Sequence, residues 1–600
     1  MPDIIQLLPD SIANQIAAGE VVQRPASAVK ELMENAIDAG AQHIKLIVKD
    51  AGKTLLQVID DGIGMTETDA RMSLERHATS KIRKAEDLFA LYTMGFRGEA
   101  LASIAAVSQL EMKTRQADQE LGTLLVLDGS EVRRQEPVAC EKGTNICVKN
   151  LFFNIPARRN FLKSNPVELK HIIDEFQRLA LSHPDIAFHF IQADELIYDL
   201  PPSKLSQRIV NVFGKAYQEQ LATCQEETNL VKVSGYVGKP DFVRKTRGEQ
   251  FIFVNKRFIR SNYLHHAIMS AYEGLIAENN FPFYVIFIEI DPKHIDVNVH
   301  PTKTEIKFDD ERAVYAVVRA AVRQAIGSHN LTPALDFNAD VNIINKLNTA
   351  STQSNEVYFE ERFSQGLHRS NQDHWEKLFD GNLESKLIKQ DDTPAVHTLR
   401  FDSAVNQPSE MINEEKALFQ LHNRYLVKQV KSGMMMIDQQ AAHERILFEK
   451  FSEQLKHKST ESQQSLFPQA ITFTPADFAL VLEMQQEIEG LGFRFEVFGK
   501  NTLVVNGVPA HVVSGNEKAL FEGLIEQFKI NQSSLTLPLQ ENLTRSLAKR
   551  ASIKQGQRLS KEEMQALIDN LFACRNPNYA PDGKMTYFIL ELNKIENYFR

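Results

Sequence analysis

The chain has 600 residues, roughly the length of several domains. It is 43% hydrophobic and 24% charged, the balance of an ordinary globular protein, and 68 Lys+Arg against 78 Asp+Glu leave a formal charge of -10. The four cysteines (Cys140, Cys147, Cys224, Cys574) form no CxxC pair, which argues against a disulfide framework and for a reducing compartment. An acidic total does not exclude DNA binding, because a local basic groove is what counts there. The opening MPDIIQLLPDSIANQIAAGE lacks the basic flank and long apolar core of a signal peptide, and no apolar run of about 18 residues follows. The expectation is a cytoplasmic protein without a membrane span.

Residues 1–330 alternate helical and strand patterns, which suggests α+β layers. A helix is predicted over Val21–Ala39, with Pro25 suited to a first turn and Gly40 to the residue after the end. Val29, Leu32, Met33 and Ala36 recur at helical spacing and face a core, while Glu31, Asn35 and Asp38 share another face. A carboxylate one turn from a carboxamide can activate water and hold Mg²⁺, although on a lone helix such a face is more often solvated. Strands are predicted at Ile44–Val48, Leu55–Ile59, Leu124–Leu127, Asn145–Val148, Phe251–Val254 and Phe283–Ile290.

At the end of the second strand, VIDDGIGM sets Asp60 before Gly62 and Gly64. A carboxylate there suits an exocyclic amine, and the glycines suit close backbone approach, though DG is also a common turn. RHATSKI (Arg76–Ile82) and the glycine-rich MGFRGEAL (Met94–Leu101) follow, the latter with backbone N–H groups suited to phosphates. The P-loop pattern GxxxxGK[ST] occurs nowhere.

From Thr332 to about Glu414 the text is rich in Asn, Ser, Gln and Asp without a sustained period, so a flexible linker is expected over 332–414. It holds the only tryptophan, Trp375, read as part of a tether or a short docking helix. Order returns at Ala417, with FQLHNRYLVKQV and MMMIDQQ read as strands and AAHERILFEKFSEQL as a helix.

ELMENAIDAGA, DDGIGM, GFRGEALASI and GTNICVKNLFFNIPARRNFL, in that order, resemble the motifs of the GHKL ATPase superfamily. IANQIAAGEVVQRPASAVKELMENAIDAGA and PARRNFL resemble the MutL family of DNA mismatch repair proteins in particular, almost continuously over residues 3–330. The resemblance implies a GHKL (Bergerat) ATPase sandwich over 1–215, a second α/β subdomain of ribosomal S5-like type over 216–331, the linker, and a C-terminal α/β dimerisation domain over 415–600. It makes Glu31 the general base for the attacking water, Asn35 the Mg²⁺ ligand with Asp38 beside it, and Asp60 the acceptor of the adenine amine. Gly62, Gly64 and Thr144 would shape the base pocket. Thr79, Ser80 and Lys81 would lie near the phosphates with Gly95, Phe96, Arg97, Gly98, Glu99, Ala100 and Leu101. Lys303, in DVNVHPTKTEIKF, would contact the γ-phosphate, where a point charge offsets developing negative charge. ATP and Mg²⁺ are the implied cofactors. A homodimer, DNA and a MutS-type mismatch-recognition protein are the implied partners, joined by a sliding clamp and a helicase. Lys256, Arg257, Arg260, Arg158 and Arg159 are candidate DNA phosphate contacts, although each such residue is more often an ordinary solvated charge.

In the nuclease-bearing branch of the family the C-terminal helix starts DQHAxxExxxxE. Here Asp438, Gln439, Ala441, Glu444 and Glu449 match, but Gln440 replaces the histidine. Lys549 stands where that branch has a cysteine, and Ala580–Met585 replaces its CPHGRP, so no zinc is expected. Asp438, His443, Glu444 and Asp582 remain as candidates for a degraded nuclease site. QQSLFP matches a Q-x-x-[LI]-x-P clamp-binding pattern, with Gln463, Leu466 and Pro468 as the contacts, or else precedes an ordinary strand. The function expected is an ATP-dependent matchmaker coupling mismatch recognition to strand removal. The alternatives are a latent metal-dependent nicking endonuclease regulated by ATP, and a chaperone or topoisomerase-like ATPase sharing only the GHKL site.

Overall fold

The computed structural model describes residues 15–330 and 418–599, apart from 17, 20, 85–92, 96, 245–247, 278–279, 297–304, 458–460, 511, 513–516 and 535–536. Trp375, Phe96 and Lys303 therefore lie outside the described residues.

The first layer is an eight-stranded mixed sheet, β1 (His43–Lys49), β2 (Leu55–Asp60), β3 (Gln109–Arg115), β4 (Gly122–Asp128), β5 (Glu131–Val138), β6 (Gly143–Lys149), β7 (Ala187–Gln192) and β8 (Glu195–Leu200), in the order 5-4-3-6-2-1-7-8. Only β1 and β7 run parallel; the other pairs are antiparallel. Alternation in β1 buries Ile44, Leu46 and Val48 on one face. Against the sheet lie α1 (Pro25–Asp38), α2 (Ala100–Ala106) and α3 (Asn165–Ser182). Val29, Leu32, Met33 and Ala36 of α1 are buried as their spacing requires. The helix starts at Pro25, four residues after the predicted Val21, because proline's fixed φ and missing N–H suit the first turn.

The second layer is a five-stranded sheet, β9 (Leu221–Glu227), β10 (Val231–Gly238), β11 (Gln250–Val254), β12 (Arg257–Ile259) and β13 (Tyr284–Ile290), in the order 12-11-13-10-9. β11 and β13 are parallel, joined through β12 and α4 (Asn262–Ala271), and α5 (Glu311–Asn330) packs beside α4. Val233, Ile286, Ile288, Val314, Val318 and Val322 form part of its own core.

The C-terminal segment has an antiparallel sheet of β16 (Leu418–Leu421), β17 (Tyr425–Val430), β18 (Gly433–Asp438) and β22 (Tyr587–Glu591), numbering the short pair β14 (Ile295–Asp296) and β15 (Lys307–Phe308) before it. A second sheet orders β19 (Ser462–Thr472), β21 (Thr502–Pro509) and β20 (Arg494–Val497). FQLHNRYLVKQV, predicted as strand throughout, is a hairpin turning at His422 and Asn423, both at positive φ. In MMMIDQQ the strand ends at Asp438, whose Oδ1 accepts from the N–H groups of Gln440 and Ala441 and so starts α6 (Gln439–His457). No helix among the described residues is long and apolar enough to cross a membrane.

Candidate functional site

The last two turns of α1 present Glu31, Asn35 and Asp38. Lys81 reaches both of the latter, its Nζ donating to Asn35 Oδ1 at 3.0 Å and to Asp38 Oδ2 at 2.5 Å. The backbone of Met94 donates to Asp38 Oδ1 (2.9 Å) and that of Gly95 to Asp38 Oδ2 (3.0 Å). Asp38 is thus held by an ammonium and two amides, and a side chain on Gly95 would meet Lys81 Nζ at 3.1 Å. Glu31 sits one turn before Asn35, 3.7 Å from Lys30, whose Nζ also lies 3.6 Å from the buried Glu34. Burial alone would lower the Lys30 pKa, but Glu34, Glu31 and Glu175 outweigh it and the ammonium is raised.

A second polar group adjoins the C-terminal end of α1. β2 and β6 pair with Asp60 opposite Thr144, and Thr144 Oγ1 lies 3.1 Å from the buried Thr114 Oγ1. Burial pushes the Asp60 carboxyl up to about 6, against the pull of the Gly62 and Thr144 N–H groups. Ile63 N–H donates to the carbonyl of Ala39, the residue that closes α1. A Cβ on Gly62 would meet Ala39 and the Asp60 carboxylate at 2.9 Å, and one on Gly64 (φ +70°) would meet the Arg115 carbonyl at 2.1 Å. At both positions the chain itself approaches too closely for a side chain.

The remaining predicted residues gather more loosely. Thr79 Oγ1 accepts from Lys81 N–H, and Ser80 is exposed. Gly98, at positive φ, lies against Ala78, and its carbonyl accepts from His77 N–H. Glu99 Oε1 is 3.2 Å from His77 Nδ1, Arg97 is exposed, and Ala100 and Leu101 open α2. Two residues read as DNA contacts are otherwise engaged. Arg257 is 8% exposed and donates to the Thr93 and Met94 carbonyls, while Arg158 Nη1 donates to the Val22 carbonyl. Lys256 and Arg260 are exposed. Thr114 and the Arg257 contact escaped sequence reasoning, since no local pattern marks a partner 163 residues away.

The C-terminal candidates do not converge. Asp438 caps α6, and His443 Nδ1 accepts from Ile553 N–H, with burial and Lys450 and Lys554 holding the imidazole down to about 4. Burial and the nearby Asp582 push Glu444 up to about 7. Asp582 lies 3.1 Å from Lys584; its burial opposes ionisation, but bonds from Lys584 prevail and keep its carboxyl low. Among the described residues no group of three or more His, Cys, Asp or Glu is gathered as a metal site. Asp438, His443, Glu444 and Asp582, the candidates for a degraded nuclease site, are not gathered into one such group. Gln463 lies in β19 opposite Val508, and Leu466 and Phe467 are 90% and 81% exposed where the pairing is interrupted between Gln464 and Gln469. The strand therefore spans the clamp-like pattern instead of starting after Pro468.

Three family models match: a histidine kinase-, DNA gyrase B- and HSP90-like ATPase over residues 23–145, a DNA mismatch repair protein C-terminal domain over 209–327, and a MutL C-terminal dimerisation domain over 418–559. Curated relatives named DNA mismatch repair protein MutL are 47% identical in Flavobacterium psychrophilum, 43% in Christiangramia forsetii and 44% in Phocaeicola vulgatus, each alignment covering 100% of both chains.

Proposed function

The chain belongs to the MutL family of DNA mismatch repair proteins, and from that premise we propose that it is an ATP-switched matchmaker whose nucleotide site lies at the C-terminal end of α1. Its class is a GHKL ATPase with a C-terminal dimerisation domain, and the nicking-endonuclease alternative is not favoured. The observation that carries the site is the convergence of Asn35, Asp38, Lys81 and the Met94–Gly95 amides beside the Asp60–Thr144 pair.

In this reading Asp60 accepts from the adenine amine, with Gly62, Gly64 and Thr144 shaping the base pocket. Gly95 to Leu101 and Thr79 to Lys81 line the phosphates, and Lys303 reaches the γ-phosphate. Asn35 Oδ1 and the Asp38 carboxylate are oxygen acceptors already turned to a cation, the Lys81 ammonium, so the donor set suits Mg²⁺. Bound there, Mg²⁺ would supply charge neutralisation for the phosphates. Glu31 takes the proton of the attacking water. Glu31→Ala is expected to keep nucleotide binding while turnover falls by about a hundredfold or more; normal hydrolysis by that variant removes Glu31 from the role.

The domain limits that best suit this function are 1–215, 216–331, 332–414 and 415–600. ATP-driven approach of the two N-terminal halves of a homodimer would signal to a MutS-type protein, a helicase and DNA in a cytoplasmic, nucleoid-associated setting. The donor chemistry at Gln440, Lys549 and Ala580 supports a C-terminal half that takes no zinc. The exposed Leu466 and Phe467 support a sliding-clamp contact with Gln463 and Pro468. Leu466→Ala should weaken clamp pull-down about tenfold or more with ATPase unchanged; equal capture by both proteins would remove the motif from that role.

A further inference from the structure

We infer that Arg257, on the second subdomain, is a positioning residue for the nucleotide site: it holds the Thr93–Gly95 segment against Asp38 and thereby sets ATP affinity. The inference rests on the assignment of Asn35, Asp38 and Asp60 to ATP binding above.

Two consecutive peptide units lie between the Arg257 guanidinium and the Asp38 carboxylate. In the Thr93–Met94 unit the carbonyl accepts from Arg257 Nη2 at 3.1 Å while the N–H donates to Asp38 Oδ1 at 2.9 Å. In the Met94–Gly95 unit the carbonyl accepts from the same Nη2 at 2.9 Å and the N–H donates to Asp38 Oδ2 at 3.0 Å. Each peptide dipole is therefore aligned between a cation and an anion, and each hydrogen bond polarises the next. Thr93 Oγ1, donating to the Gly95 carbonyl at 2.9 Å, closes the turn.

The far end of this relay is equally fixed. Arg257 follows a two-residue hairpin turn, Asn255–Lys256, with both residues at positive φ. Asn255 exchanges side-chain hydrogen bonds with the backbone of Ile290, tying the turn to β13. A displacement of this sheet is carried to Asp38 through two peptide units, and an ordering of the segment by nucleotide is carried back.

The setting argues against a purely structural arginine. Its side chain lines a small cavity of about 20 Å³ with Lys30, Glu34 and Arg178, and its Nη1 is buried with no partner among the described residues. A buried cation with an idle nitrogen costs stability, so what Nη2 holds is the gain that offsets it. Arg257 touches neither adenine nor phosphate in this reading, so its loss removes binding common to ground and transition state and appears in KM instead of kcat.

The test uses the full chain with Arg257→Met, which keeps the stem and removes the donors, and Arg257→Lys, which keeps a cation. Arg257→Met is expected to raise KM for ATP about tenfold with kcat within about twofold, and to speed amide exchange at Met94 and Gly95. Arg257→Lys is expected to fall between it and the parent. If Arg257→Met does not fold, the lysine variant decides by the same two readings. Parental KM and exchange in a folded variant overturn the inference. A non-hydrolysable ATP analogue that fails to protect the amides at Asp60–Gly64 of the unaltered protein overturns the site itself. Protection there, with a folded variant that behaves as the parent, overturns Arg257 alone.

Discussion

Asp60 and Glu444 are carboxylates pushed in the same direction by the same force, yet their surroundings differ. Burial raises Asp60 to about 6 and Glu444 to about 7. Around Asp60 the Gly62 and Thr144 amides donate to the carboxylate, and at the end of α1 Lys81 gathers Asn35 and Asp38 at one nitrogen. Around Glu444 each polar group is spent separately, Asp438 on a helix start, His443 on Ile553 and Asp582 on Lys584. A perturbed carboxyl marks a place where ionisation is costly; what distinguishes function is whether neighbouring groups point at a common ligand.

The sharpest way to break that contrast is Asp60→Asn. A carboxamide still accepts from Gly62, but it loses the charged acceptor proposed for the adenine amine, so ATP affinity should fall about tenfold to a hundredfold. In the unaltered protein the same loss is expected on acidification through about pH 6, where Asp60 takes up its proton. The stability effect runs the other way. The folded pKa is raised from 3.8 to about 6, so Asp60's contribution is fully present below pH 3.8 and lost as pH rises through about 6. The Asp60→Asn variant, neutral at this position, should therefore be the more stable protein at pH 8, by up to about 3 kcal/mol, with no advantage near pH 4. Isothermal titration with ATP and denaturant unfolding of the N-terminal half's signal at both pH values check the two parts. Undiminished affinity at pH 8 would detach Asp60 from adenine.

Much of this was written locally. β1, β2, β4, β6, β11 and β13 match runs of alternating or continuous apolar residues, and the buried face of α1 follows from its spacing. The GHKL-like strings also imply one neighbourhood for Asn35, Asp38 and Lys81, and the three meet at the Lys81 ammonium. Other features depend on contacts that no window contains. Arg257 reads as a surface cation because it follows a lysine in a turn, while its burial depends on Thr93 and Met94. Gly62 and Gly64 read as glycines that permit close approach, but that Ala39 and Arg115 are what a side chain there would meet is written in no window. Asp438 and Glu444 fit a metal motif by spacing, and the lysines at 549 and 584 are visible as departures from it; that both charges bear on Glu444 is not.

Glu444→Gln is the complementary test, with the smaller expected effect. Glu444 is 5% exposed, and its pKa rises from 4.5 to about 7 through burial first and Asp582 second, despite opposing pulls from Lys549, Lys584 and Lys554. The sign is that of Asp60: the contribution is fully present below pH 4.5 and lost as pH rises through about 7, so ionised Glu444 burdens the fold at pH 8. Glutamine keeps the shape and removes the charge. The variant should gain up to about 3 kcal/mol in unfolding of the C-terminal half at pH 8, and nothing near pH 4. ATP turnover and affinity should stay within about twofold of the parent, because the Asn35–Asp38–Lys81 network is made by N-terminal residues and does not include Glu444. A gain in stability with unchanged turnover would show that burial and Asp582 perturb this carboxyl without a ligand to hold its charge. A loss of stability, or of a Mn²⁺-dependent DNA nicking activity measured alongside, would show that Glu444 is held charged for a ligand after all, and the contrast with Asp60 would fail.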